Sequence, residues 1–324
     1  MRMHEFPGLG RPVSVLALGT QAFGTSITVE ESFKMLDLYA ELGGNFIDTA
    51  RLYGYYAENV QGISETVLGW WMKKRGNRER MIVGTKGAHP PLGDMHNSRL
   101  DRQSIRSDIE QSLRALDSDY TDIYWLHRDD PSRPVEEILE TLNELVKEGK
   151  TRLIGASNWS LERLKEAQKA AESMGLQGFS AVQPQWSLAR QEILEDDTLV
   201  RFSEAEYAWH MENGMPVVPF TSQAKGFYYK LADGGEQALS KKAKERFLSE
   251  RNMRSYQILC EISEKTGCSV GALSIAYLTS QPFPVFPIVG FSSLKQAESM
   301  REAGEILLDP ADLAALNASS EIAG

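Results

Sequence analysis

Eight short runs of apolar, often β-branched residues recur along the chain: residues 14–18, 45–49, 81–85, 122–127, 152–157, 181–185, 216–220 and 285–289. Each is near-continuously apolar rather than alternating, the pattern of strands covered on both faces. Amphipathic stretches separate most of them, and helices are predicted at 29–42, 64–74, 104–116, 134–148, 161–172 and 198–212. In the first of these, Leu36, Leu38, Tyr39 and Leu42 make a mostly apolar face and Gly43-Gly44 ends it. In 134–148, Ile138, Leu142 and Leu145 share a face, Pro134 opens it and Gly149 closes it. Ser160 is placed to cap the helix that follows. Repeated strand–helix alternation means parallel strands joined by crossovers. Eight repeats in a chain of 324 residues match the size of a (β/α)8 barrel. The expected fold is therefore α/β, one barrel domain over residues 1–324. A doubly wound open sheet is the competitor. Its Gly-x-Gly-x-x-Gly turn is missing, because the first turn reads Gly19-Thr20-Gln21-Ala22-Phe23-Gly24.

Two irregular stretches interrupt the repeat. Residues 87–100 follow the third run and contain His89, Pro90, Pro91, Asp94 and His96. Residues 221–284 separate the seventh and eighth runs. They hold a charged piece, 232–254, expected to be mobile, and then a helix near 269–279. In a barrel both project from the C-terminal face, where active sites sit. The net charge of −10, without a basic run, argues against nucleic acid or anionic membrane as a partner. No apolar run is long enough for a bilayer and the first residues do not read as a signal peptide, so a cytoplasmic location is expected. Cys260 and Cys268 cannot build a disulfide framework and read as reduced thiols. Nothing in the sequence sets the oligomeric state.

The chemistry lies where the runs end. The second ends in Ile47-Asp48-Thr49-Ala50, with Tyr53 five positions after Asp48. The third ends in Gly84-Thr85-Lys86 and the fourth in Leu126-His127-Arg128-Asp129-Asp130. Singly, Asp48 reads as a loop cap, Lys86 as a rim cation, His127 as a core histidine and Tyr53 as packing. Together, neighbouring strands deliver a carboxylate, a phenol, an ammonium and an imidazole to one rim. A phenol titrates near 10, too high for easy proton exchange at neutral pH, and a nearby ammonium is expected to lower it. Asp48 would pair with Lys86, and His127 would donate to a substrate oxygen. Such a set suits giving a proton to a carbonyl oxygen while hydride arrives at carbon.

The order Asp48-x4-Tyr53, Lys86, His127 resembles the catalytic tetrad of the aldo-keto reductases. So do the contexts "FIDTARLYG" from Phe46, "GTKG" from Gly84 and "LHRDD" from Leu126, and the similarity runs from about Leu9 to Leu316. The resemblance implies a barrel with an N-terminal cap and long loops at its C-terminal face. It also implies a nicotinamide dinucleotide extended across the barrel mouth. Gly19, Thr20 and Gln21 match the turn that touches the cofactor. Ser157, Asn158 and Gln183 match the group that holds the nicotinamide carboxamide, and Phe220 stands where a tyrosine usually stacks on the ring. Thr221, Gln223, Lys225 and Gly226 lie in the pyrophosphate loop. Gly290, Ser292 and Gln296 fall in the segment that receives the adenosine 2′-phosphate. There the expected cation and Glu-Asn pair are replaced by Gly290, Ser299 and Met300, so NADP(H) is favoured while NAD(H) stays open. Candidate substrate walls are Phe23, Tyr53, Tyr55, Trp125, His127 and Trp186, with His89 nearby. No metal is expected, since an ammonium stands where a metal site needs a neutral or anionic donor. The expected activity is reduction of an aldehyde, ketone or keto-sugar, or the reverse oxidation, with Tyr53 as proton donor. The alternative is a slow cofactor-binding regulatory subunit similar to potassium-channel β-subunits, which the lack of an extended N-terminal segment disfavours.

Overall fold

The computed structural model describes residues 1–54, 62–291 and 294–322. A short antiparallel hairpin, β1 (Met3–Glu5) with β2 (Pro12–Ser14), comes first. Seven parallel strands follow: β3 (Ala17–Gly19), β4 (Phe46–Asp48), β5 (Ile82–Gly87), β6 (Thr121–Leu126), β7 (Thr151–Ser157), β8 (Ala181–Gln183) and β9 (Ile288–Val289). Their order is β8-β7-β6-β5-β4-β3-β9. Residues 216–220, expected as a full strand, instead make single bridges, Val182 to Val217 and Val217 to Val285. The Val218 amide donates to Val182 O at 2.8 Å, the Phe286 amide to Val217 O at 2.8 Å and the Ile288 amide to Pro219 O at 2.9 Å. These bonds span the gap between β8 and β9 and complete a (β/α)8 barrel. Pro216, Pro219, Pro284 and Pro287 lack amide donors, which keeps the ladder here from lengthening.

Strand alternation sorts the side chains. Ala17, Phe46, Ile82, Ile123, Trp125, Leu153, Ala181, Val218 and Phe286 fill the barrel interior in one cluster with Phe6, Leu9 and Val13. Phe6 lies 5.1 Å from the Phe286 ring and 6.1 Å from the Phe46 ring, so the N-terminal segment plugs one end of the barrel. The intervening residues, among them Ile47, Val83, Tyr124 and Ile154, face the helices.

Helices stand at Val29–Glu41, Ile63–Arg75, Arg102–Leu116, Val135–Lys147 and Leu161–Met174, close to expectation. Ser160 caps the last, accepting from the Arg163 amide. The sixth begins at Glu204 rather than 198. Val200 O accepts from the Gln185 amide and the Phe202 amide donates to Gln185 O, which holds the preceding residues extended until Ser203 and Glu206 form a capping box. Residues 232–254, expected to be mobile, lie largely in helices Phe227–Gly234, Lys241–Phe247 and Glu250–Thr266. Their polar sequence conceals buried anchors, since Leu231, Leu239, Phe247 and Leu259 join the core while the charges face water. Helices Val270–Thr279, Leu294–Ala303 and Pro310–Ser320 end the chain. Cys260 and Cys268 are free thiols. Among the described residues no helix is long and apolar enough to cross a membrane.

Candidate active site

The inward positions continue upward past the core. Two residues beyond Phe46 comes Asp48; beyond Ile82 and Gly84, Lys86; beyond Trp125, His127; beyond Gly155, Ser157; beyond Ala181, Gln183; beyond Val218, Phe220. All six line one cavity of about 690 Å³ at the C-terminal face. Period-two geometry thus brings together residues scattered over some 170 positions.

The Lys86 ammonium is its electrostatic centre. It donates to Asp48 Oδ2 at 2.5 Å, to Thr49 O at 2.9 Å and to Tyr53 Oη at 2.9 Å. Lys86 is 2 % and Asp48 1 % exposed, so the pair is shielded from water. Asp48 Oδ1 accepts from the Gln183 amide at 2.9 Å. Burial pulls the Lys86 ammonium down, yet Asp48 and Tyr53 outweigh it and Lys86 ends above its ordinary value. Burial pushes the Asp48 carboxyl up, against Lys86 and Gln183. With three acceptors around one ammonium, the geometry holds the ion pair.

Tyr53 reaches this centre because the chain turns after β4. The Arg51 amide donates to Lys86 O at 3.0 Å and the Tyr53 amide to Ala50 O at 3.1 Å. Burial raises the Tyr53 phenol above its ordinary value, and Lys86 opposes the rise without cancelling it. This corrects the expectation of a lowered phenol: desolvation in a closed rim outweighs one nearby cation. Because Tyr53 Oη accepts from Lys86, its own proton is directed elsewhere. The His127 ring centroid is 6.4 Å from that of Tyr53 and 4.6 Å from that of His89. Burial, His89 and the Arg128 and Lys86 cations hold His127 well below its ordinary value, so it is neutral. Its Nδ1 is buried and, among the described residues, has no hydrogen-bond partner, and the ring lines the cavity. His89 Nδ1 donates to Pro90 O at 2.6 Å, and burial lowers this ring to about 4.

The remaining expected residues divide. Gly19, Gln21, Asn158, Thr221, Gln223, Lys225, Gly226, Gly290, Gln296 and Phe23 line the cavity. Thr20 does not: its fully buried hydroxyl donates to Asp48 O and accepts from Ser64, so it braces the turn from below. Trp125 does not either. It sits one layer beneath His127, where Gly155 leaves it room; a Cβ on Gly155 would stand 2.2 Å from the indole. Trp186 faces outward by strand parity and stacks on Phe202 at 4.1 Å. Tyr55 and Ser292 lie outside the described residues. The cavity also recruits Leu52, Met95, Gln191, Asp196 and Leu199 from loops and Tyr229 and Lys230 from helix Phe227–Gly234. These carry no periodic signal, and only tertiary packing brings them here. Arg128, in the motif after β6, donates to Thr198 Oγ1 at 2.9 Å and lies 3.6 Å from Asp196, joining the loops on the two sides of the mouth.

Several features fit a nicotinamide dinucleotide. Gln183 Oε1 is a buried acceptor without a donor among the described residues, and Gln183 lines the cavity, where a carboxamide N–H₂ would satisfy it. Ser157 Oγ and the Asn158 carboxamide are already engaged with each other, with Gln183 O and with Val200. Thr221, Ala224 and Lys225 all have positive φ (56°, 47° and 57°), a backbone shape that turns amides to a common side and suits phosphate. The Gly290 amide, by contrast, is occupied, donating to Gln223 Oε1 at 2.8 Å.

A closed parallel barrel whose C-terminal mouth presents a lysine–carboxylate pair bonded to a phenol, beside a neutral imidazole, defines a class of carbonyl-active oxidoreductases. Residues 15–321 match the aldo/keto reductase family. The chain belongs to that family and is an oxidoreductase. It is 30% identical over 308 residues to norsolorinic acid reductase of Emericella nidulans, covering 90% of this chain and 74% of that protein. It is 30% identical over 341 residues to aryl-alcohol dehydrogenase [NADP(+)] of Phanerodontia chrysosporium, covering 96% of this chain and 83% of that one. The fold is similar to a thermostable aldo-keto reductase solved with the inhibitor epalrestat, at a TM-score of 0.72, 23% identity, and coverage of 98% of this chain and 100% of the other.

Proposed function

We propose that this chain, working as one barrel domain, is an NADP(H)-dependent reductase of aldehydes, ketones or keto-sugars, with Tyr53 as proton donor. One observation carries the assignment: Tyr53 Oη accepts from Lys86 at 2.9 Å, which frees the phenolic proton to point into the cavity. A dinucleotide held in this cavity would supply hydride to the carbonyl carbon. The chain's own residues do the rest. Gln183, with Ser157 and Asn158, holds the carboxamide, and Phe220 offers a ring for the nicotinamide to stack on. The loop Thr221–Gly226 with Lys225, the turn at Gly19–Gln21 and the segment from Gly290 through Ser292 to Gln296 hold the remaining length. The aryl-alcohol dehydrogenase named above and the cavity cations Lys225 and Lys230 favour NADP(H) over NAD(H).

Neutral His127 donates from Nε2 to the carbonyl oxygen and holds it beside the phenol, while Tyr53 delivers its proton to that oxygen. Lys86 stabilises the resulting phenolate, and Asp48 keeps Lys86 charged and in place. Cofactor loss is followed by absorbance, with NADPH and NADH side by side, against a panel of aldehydes, ketones and keto-sugars. Tyr53→Phe is expected to keep cofactor affinity and lose on the order of 10²- to 10⁴-fold in kcat. Near-wild-type turnover in that variant removes the role from Tyr53. Tight cofactor binding by both proteins without turnover moves the regulatory-subunit reading forward.

A further inference from the structure

We infer that Glu65, in the helix layer behind the barrel mouth, is a positioning residue that ties the Tyr53 loop to the Lys86 strand. The inference rests on the reductase reading for its kinetic consequence, but the tie itself is a matter of geometry. Glu65 lies in the first turn of helix Ile63–Arg75 and is wholly buried. Its Oε1 accepts from Thr85 Oγ1 at 2.5 Å. Thr85 immediately precedes Lys86 and faces the other side of β5. Glu65 Oε2 has no hydrogen-bond partner among the described residues and lies 4.0 Å from Arg51 Nη1. Arg51 stands two residues before Tyr53, its amide donates to Lys86 O at 3.0 Å, and its Nη2 donates to Gln111 Oε1 at 3.0 Å. One buried carboxylate therefore touches the neighbour of the ammonium and the guanidinium that anchors the phenol's loop.

The approach depends on Gly62, whose φ is +77°. A Cβ there would stand 2.0 Å from Arg51 Nη1 and 3.1 Å from Glu65 Oε2, so only glycine lets the guanidinium cross to the carboxylate. Among the described residues, the charges facing Glu65 from the packed elements are few. Arg51 comes from the loop after β4 and Asp108 from helix Arg102–Leu116, with the Tyr124 phenol on β6. Asp108 is itself held by Arg99 at 2.7 Å on both oxygens. Among the described residues, Arg51 is thus the cation that answers Glu65. Burial first, then Asp108, raise the Glu65 carboxyl, and Thr85, Ser112 and Arg51 oppose them; it titrates at about 7. As pH rises through that value the carboxyl ionises and draws Arg51 in, and residues 49–53 are held more firmly against β5. Below it the tie weakens while the Thr85 bond persists.

The test uses Glu65→Gln, a neutral isostere that keeps an acceptor for Thr85. Hydrogen exchange of residues 49–54, corrected for intrinsic rate, is followed from pH 5.5 to 8.5 in the full chain without cofactor, and kcat and KM over the same range. In wild type, protection of the Arg51 amide is expected to rise about tenfold through pH 7. In Glu65→Gln it stays flat at the low-pH level. The variant's kcat is expected to be about tenfold down above pH 7 and close to wild type at pH 5.5, with the carbonyl KM within about twofold throughout, the signature of a misplaced proton donor. Gly62→Ala, whose methyl would overlap Arg51 Nη1 far more severely than Glu65 Oε2 and leaves the carboxyl group in the chain, is expected to give the same flat exchange. Protection of residues 49–54 that ignores pH in wild type, or that matches wild type in Glu65→Gln, overturns the inference. A wild type that turns over no carbonyl defeats the reductase reading separately, because the exchange arm does not depend on turnover.

Discussion

Replacing Lys86 with methionine tests the buried pair at the centre of the site. Methionine matches the length of the lysine stem but removes the ammonium and with it three hydrogen bonds, to Asp48, Thr49 O and Tyr53. Asp48, 1 % exposed, keeps only the Gln183 amide. Deleting one partner of a buried ion pair costs about 3–5 kcal/mol, because a charge is left uncompensated. For 324 residues the unfolding entropy is roughly 0.7 kcal/mol per degree, so Tm should fall by about 4–7 °C at pH 8. The sign of the pH dependence follows from Asp48. Burial already raises this carboxyl, and losing Lys86 raises it further. A carboxyl raised in the folded state contributes its stability below its unfolded value of 3.8 and loses it as pH rises through the folded value. The deficit of the variant should therefore shrink from pH 8 toward pH 5, and adding Asp48→Asn should recover most of it at pH 8. Thermal melts of the single and double variants at both pH values decide the matter. An equal deficit at pH 5 and 8, unrelieved by Asp48→Asn, would mean that lost packing rather than an orphaned carboxylate dominates, and would refute the reasoning. The same variant should lose most turnover, with the pH–rate limb of Tyr53 displaced to higher pH because the main group opposing burial is gone and only the smaller effect of Arg128 remains.

Other substitutions probe the scaffold. Glu206 is buried with no cation partner among the described residues, and burial raises it to about 7 against its Ser203 bonds. Its folded value is raised, so stability is lost as pH climbs from 4.5 through 7. Glu206→Gln should accordingly be more stable than wild type at pH 8 by roughly 3 kcal/mol, with most of that gain gone by pH 5 in chemical denaturation. Trp125→Ala should cost about 3–5 kcal/mol and weaken carbonyl KM little, since the indole lies beneath the site rather than in it; a large specific rise in KM with normal stability would put Trp125 back in the pocket.

Much of the site is legible in one dimension because strand alternation obeys a strict period of two. Once 46–48, 82–87 and 121–127 are read as parallel strands, Asp48, Lys86 and His127 share the parity of the barrel core and stand above it. The same rule, applied to Trp125 and Trp186, places the first inside the barrel and the second outside it; their aromatic character is no guide to the pocket. The helical order of 232–254 is hidden by its charge, since a few anchors such as Leu239 and Phe247 suffice to dock short helices.

The sequence by itself determined the repeat, the barrel it implies and the polar residues that end each strand, because those properties follow from local periodicity and spacing. Tertiary structure alone decided which loop residues close the cavity. It also showed that burial outweighs Lys86 at Tyr53, and that a carboxylate from the second helix reaches Thr85 and Arg51. These depend on desolvation and on contacts between segments distant along the chain, and no local pattern encodes either.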